Sequence, residues 1–245
     1  MYELTLCLPA EKQKYVLEFC KAFEKELKKN NGIIVKQNTG GKSYLAIAVC
    51  ENKKDYLKSI VLDFVLKVII EDYKFEFFKE NIVVQSPSKV TEAFLMAVSI
   101  FDAEIDKEII SSLLEFEGEI VIDSFYYFKL QGLKERWART AGIINKNGIM
   151  NSDRSIIDVL KYLCAVSDNN SVLVNLMFAG GKIEMKNYYK AKKFKTDHDG
   201  ISSLYAEMIK LNPMKINIKL DEEEVGFKEI TETLKSVFED KIYFN

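Results

Sequence analysis

Apolar residues recur along this chain at two spacings, alternate positions and helical rows, and the switches between them mark the elements. Residues 2 to 8 (YELTLCL) alternate and predict a strand. Pro9 suits a helix start, where its missing N–H costs nothing. Val16, Cys20, Phe23 and Leu27 then form one row of a helix running to about Asn30, with Gly32 as the stop. Ile33–Gln37 and Tyr44–Val49 predict two strands. Between them, Asn38-Thr39-Gly40-Gly41 tolerates positive φ, so the pair reads as a hairpin. From about Lys53 to Lys79 two adjacent rows, Tyr56/Ile60/Phe64 and Leu57/Val61/Val65/Val68, predict a long helix buried on more than one side.

Pro87 breaks the pattern. Residues 89 to 116 predict one or two helices, with Phe94, Val98, Phe101 and Ile105 at helical spacing and Gly118 ending them. Residues 119 to 127 fit either a strand or an extended loop. Phe128–Asn145 predicts a helix, and Asn147-Gly148 a turn. Beyond it, Ser152-Asp153 caps a helix carrying Ile156, Ile157, Leu160, Leu163 and Cys164. Ser171–Phe178, Gly180-Gly181 and Lys182–Tyr188 predict a second hairpin. Ile201, Leu204, Tyr205, Met208 and Ile209 mark a helix that stops before Pro213. Met214, Ile216, Ile218 and Leu220 alternate with Lys215, Asn217 and Lys219, a strand with one wet face. A last helix carries Phe227, Ile230, Leu234, Val237 and Phe238, with the acids 221–224 before its positive end, and Lys241–Phe244 closes as a strand.

The predicted class is α+β. Residues 1–86 form a β-α-β-β-α unit and 87–148 a mainly helical middle. Residues 149–245 form an α-ββ-α-β-α-β unit on a mixed sheet. The 245 residues are 48% hydrophobic with a net charge of -2, which excludes a disordered chain and a strongly basic overall field. No apolar run approaches the roughly 20 residues of a membrane span. Glu3 stands where a signal peptide needs basic residues. Cys7, Cys20, Cys50 and Cys164 form no C-x-x-C pair, and each sits in an apolar run, so four reduced, buried thiols in a cytoplasmic protein are expected.

Candidate chemistry is sparse. Gly40-Gly41-Lys42-Ser43 lacks the earlier glycine of a phosphate loop, because that position is Lys36, and a strand follows where a helix is required. The single histidine, His198, stands between Asp197 and Asp199, a set that serves a metal or acid-base chemistry, or simply a polar loop with a helix cap. Lys182, Lys186, Lys190, Lys192, Lys193 and Lys195 fall within 14 residues, interleaved with Tyr188, Tyr189 and Phe194 and opposed by Glu184. Ammonium groups among aromatic faces suit a single-stranded nucleic acid, an acidic membrane surface or a solvated face. Three of the 35 basic residues are arginines, Arg136, Arg139 and Arg154. Guanidinium forks in a lysine-using chain suggest bidentate pairing, either with Glu135, Asp153 or Glu117, or with an anion or partner. The acids 221–224 read as a first-turn cluster. No cofactor is implied.

Leu211-Asn212-Pro213-Met214-Lys215-Ile216-Asn217-Ile218, together with residues 230–244 (ITETLKSVFEDKIYF), resembles the YtxC-type sporulation proteins of endospore-forming bacteria. Phe125-Tyr126-Tyr127-Phe128-Lys129-Leu130 before a tryptophan-bearing helix, and Ile157–Leu163 before a hairpin, are similar to the same family. The resemblance covers about residues 119–245. It implies a role connected with sporulation and brings no activity, substrate, cofactor or site residue. The expectation is a binding or structural protein with a protein partner and no catalytic centre. Two other readings stay open: a nucleic-acid binder using Lys182–Lys195, and an enzyme or metal site at His198.

Overall fold

The computed structural model describes residues 1–29, 31–85, 88–166, 170–187, 191–196, 198–220 and 225–244. The chain is α+β and gathers into two compact units, Met1–Phe77 with Asp102–Ala138, and Phe78–Phe101 with Arg139–Asn245. The middle stretch, read from the sequence as a segment of its own, is thus divided between the two. Its apolar row also breaks. Phe94 is buried in α4 (Lys89–Phe101), but Phe101 and Ile105 are largely exposed. The helix stops at Asp102, and α5 (Ala103–Leu113) starts afresh in the other unit.

In the first unit, β1 (Tyr2–Pro9), α1 (Gln13–Lys29), β2 (Ile33–Thr39), β3 (Lys42–Val49) and α2 (Lys54–Val68) follow the predicted order. The core-facing row of α1 is Tyr15, Val16, Phe19 and Leu27, with Cys20 and Phe23 half-buried at its margin. The β2–β3 turn uses Gly40 and Gly41 at φ 58° and 74°, angles that side chains avoid and this hairpin turn requires. Leu4, Leu6, Leu8, Leu45, Ile47 and Val49 point into the core.

The chain continues from α2 through a π-helical turn, Ile69–Lys74, into α3 (Phe75–Asn81). Only three of residues 119–127 are extended. They form β4 (Glu119–Val121), which pairs parallel to β1 at the end of the order β2-β3-β1-β4. The rest turns helical as α6 (Ile122–Ser124) and a second π-helical turn, Phe125–Lys129, before α7 (Gln131–Lys146).

The second unit carries α8 (Asp153–Val166), β5 (Asn170–Ala179), β6 (Lys182–Lys186), β7 (Ala191–Lys195), α9 (His198–Leu211), β8 (Pro213–Leu220), α10 (Val225–Phe238) and β9 (Ile242–Phe244). Its sheet is mixed, ordered β7-β6-β5-β8-β9, with β5–β8 and β8–β9 parallel and the other pairs antiparallel. One face buries Val174, Leu176, Phe178, Ile183, Met185, Ile216 and Ile218. Helices cover that side: Phe178 meets Phe227 of α10 edge-on at 4.9 Å.

Candidate functional site

Strand alternation decides what the other face of this sheet presents. The buried positions on β5, β6 and β8 are Val174, Leu176, Phe178, Ile183, Met185, Ile216 and Ile218, so their neighbours in sequence point outward. Register then lines those neighbours up across the strands. Lys195 lies opposite Lys182 and Lys193 opposite Glu184. Ala179, Met177 and Asn175 lie opposite Lys182, Glu184 and Lys186. On the far side Leu173, Asn175 and Met177 meet Lys215, Asn217 and Lys219, and Asn217 meets Tyr243 of β9. Lys182, Lys186, Lys193, Lys195, Lys215 and Lys219 therefore share one face.

The one carboxylate among them, Glu184, takes Lys186 at 3.1 Å and Lys193 at 3.9 Å. Lys182 and Lys195 stand directly opposite one another, an arrangement that destabilises a ladder through like-charge repulsion. Lys215 places its ammonium 4.2 Å from the centre of the Tyr243 ring, and that ring is 48% exposed. The Asn217 side-chain amide donates to Asn175 at 2.9 Å, leaving further donor and acceptor positions on both amides. The result is a wet, cationic surface with an aromatic ring and two amides on it.

Only part of the predicted basic ribbon belongs to this face. Lys193 does. Lys192, on the opposite side of β7, forms an ion pair with Glu207 of α9 at 2.7 Å. Phe194 is half-buried opposite Ile183. Lys190, Tyr188, Tyr189, Asp197 and the acids 221–224 lie outside the described residues. His198 opens α9, and its side chain also lies outside them. Lys215 and Lys219 were legible only as one strand's wet face. Nothing local says that β8 lands beside β5.

Arg136 donates to Asp102 at 3.3 Å in the first unit. Arg139 and Arg154 are exposed residues of the second unit. Cys7 and Cys164 are buried free thiols and Cys20 is half-buried, but Cys50 is exposed because it closes β3 at the sheet end.

The first unit also holds a buried polar group that the sequence did not announce. Lys74, fully buried, donates to Asp102 at 2.5 Å and to Asp106 at 2.6 Å, and Trp137 Nε1 donates to Asp106 at 3.3 Å. Burial pushes the Asp106 carboxyl up, with Lys74 pulling it the other way. On the same π-helical turn Asp72 accepts from Lys12, whose ammonium sits 4.4 Å from the Tyr73 ring centre. Tyr73 stacks at 4.4 Å on Tyr126 of the second π-helical turn. Such turns widen a helix and often occur at functional sites. Here they aim ionic side chains at partners within the protein.

Among the described residues no group of three or more His, Cys, Asp or Glu could hold a metal, and no helix is long and apolar enough to cross a membrane. No family model matches the chain, and neither a curated protein nor a solved structure does.

Proposed function

We propose that the chain is a non-enzymatic binding protein that takes single-stranded nucleic acid on the outer face of its five-stranded sheet. One observation carries this reading: among the described residues six lysines share that face with one carboxylate, Glu184, in a chain whose net charge is -2. Phosphates supply the matching charge. The exposed Tyr243 ring offers a stacking surface for a base, and Asn175 and Asn217 offer amide groups to base edges. The buried Lys74–Asp106 group speaks against a catalytic role there, because its charges are already matched by protein partners.

The C-terminal resemblance to YtxC-type proteins supports a cytoplasmic role in sporulating cells for the same activity.

The test is a titration of a fluorescent single-stranded oligonucleotide, read by anisotropy. Affinity is expected to fall with a log–log salt slope of roughly -4, at about 0.7 per phosphate contacted by six lysines. Lys193→Glu/Lys215→Glu is expected to abolish most binding, and Tyr243→Ala to weaken it roughly tenfold. The same double variant, introduced into the chromosome, is expected to lower the yield of heat-resistant spores. Binding unaffected by the double substitution would end the nucleic-acid reading. A normal spore yield from a strain lacking the gene would end the sporulation one.

A further inference from the structure

We propose that the first unit has a second docking site, a groove beside β4 that takes an extended, lysine- or arginine-rich segment of a protein partner as an added strand. β4 ends its sheet, so one of its edges pairs with β1 and the other does not pair within the sheet. A cavity of about 320 Å³ is lined by Glu119, Ile120 and Val121, all three residues of that strand. Thr5 N–H donates to the Gly118 carbonyl at 2.9 Å, so strand alternation turns the Ile120 main chain toward β1 and the Glu119 main-chain groups and Val121 N–H toward the other edge. Those are the groups an incoming strand would pair with, and both residues line the groove.

Side chains specify the occupant. The apolar wall includes Phe128 at 78% exposed and Leu113 at 39% exposed, large hydrophobic groups left in water on one side of the cavity. The rim carries Glu115, Glu117 and Glu119, all exposed. Lys129 is the one cation in the lining and stands 3.7 Å from Glu115. An extended peptide alternating basic and aliphatic residues satisfies all three features at once. Its backbone pairs with β4, its aliphatic side chains cover Phe128 and Leu113, and its ammonium groups meet the glutamates. A nucleic acid is repelled by this rim, so the site is independent of the cationic sheet.

The experiment uses the full chain and a short fluorescent peptide alternating lysine with valine. Binding is expected, with new protection of the Glu119 and Val121 amides against hydrogen exchange. Glu115→Lys/Glu117→Lys is expected to weaken it by tenfold or more. Phe128→Ser, at an exposed position that leaves the fold's melting temperature in place, is expected to weaken it several-fold. Lys193→Glu/Lys215→Glu is expected to leave it unchanged, which separates this site from the nucleic-acid face. Equal affinity in the Glu115→Lys/Glu117→Lys variant, absence of binding to the parent chain, or binding without amide protection at β4 would each overturn the proposal. Self-association of the chain that the same rim substitutions abolish would overturn it too, by making a second copy the occupant.

Discussion

Lys74 shows how far a single side chain can depart from its local context. It follows Glu71-Asp72-Tyr73 in the predicted helix, beyond Val68, the last residue of its apolar rows, yet it is fully buried. Its position follows from the π-helical turn, whose extra residue per turn rotates it toward Asp102 and Asp106. Those partners come from α5 and the residue before it, about thirty positions on, so no spacing rule could have paired them. Ending the α4 row at Phe101 has the same cause: Asp102 is held by Lys74 and Arg136. Replacing Lys74 with methionine keeps the volume and removes the cation, leaving Asp106 buried with only Trp137 as a donor. The expected loss is about 3–5 kcal/mol, as for other buried pairs broken on one side. Urea denaturation should show the midpoint falling at constant slope. Adding Asp106→Asn should recover part of the loss, because the second substitution removes the stranded charge. A Lys74→Met variant as stable as the parent would mean that the buried pair contributes nothing beyond its packing.

At the scale of elements, what the sequence disclosed depended on how local the cause was. Both glycine hairpins were legible, since their turns depend on residues that tolerate positive φ, and Gly180 and Gly181 sit at 56° and 68°. The long helix and the alternating β8 were legible from period alone. β7 was not, because Ala-Lys-Lys-Phe-Lys has the polar character of an edge strand and was read only as charge. β4 was ambiguous because three residues carry little pattern, and its pairing with β1 joins parts of the chain more than a hundred residues apart. Two glycines separate conformational from steric cost. At Gly41 a Cβ would meet nothing within 4 Å, so Gly41→Ala should lose only the left-handed penalty, about 1–2 kcal/mol. At Gly200 a Cβ would lie 2.3 Å from the Lys195 carbonyl oxygen, a backbone atom. Gly200→Ala must therefore displace the β7–α9 junction. Its melting temperature should drop well below that of Gly41→Ala, and limited proteolysis should cut near Lys195. Equal melting temperatures for the two variants would show that the junction yields without cost.

For the whole molecule, class and element order were legible, while the grouping of elements was not. Residues 102–138 join the first unit because β4 finds β1 and Lys74 finds α5, long-range events that leave no mark on the local pattern. The candidate site divides the same way. Lys182, Lys186, Lys193 and Lys195 were visible as a run, but Lys215, Lys219 and Tyr243 joined them only through sheet order. That assembly has a kinetic consequence. The face is cationic, while the protein as a whole carries -2. Between about 0.02 and 0.2 M salt the screening length falls from roughly 20 Å to below about 10 Å, so an oligonucleotide still distant from the face is only weakly attracted. Once docked, it lies within a few ångströms of six ammonium groups, and the displaced counterions are a property of that local contact. Stopped-flow measurements should therefore place most of the salt dependence in the dissociation rate, with the association rate changing only a few-fold between about 0.02 and 0.2 M salt. An association rate that collapses over that range while dissociation stays constant would overturn this division.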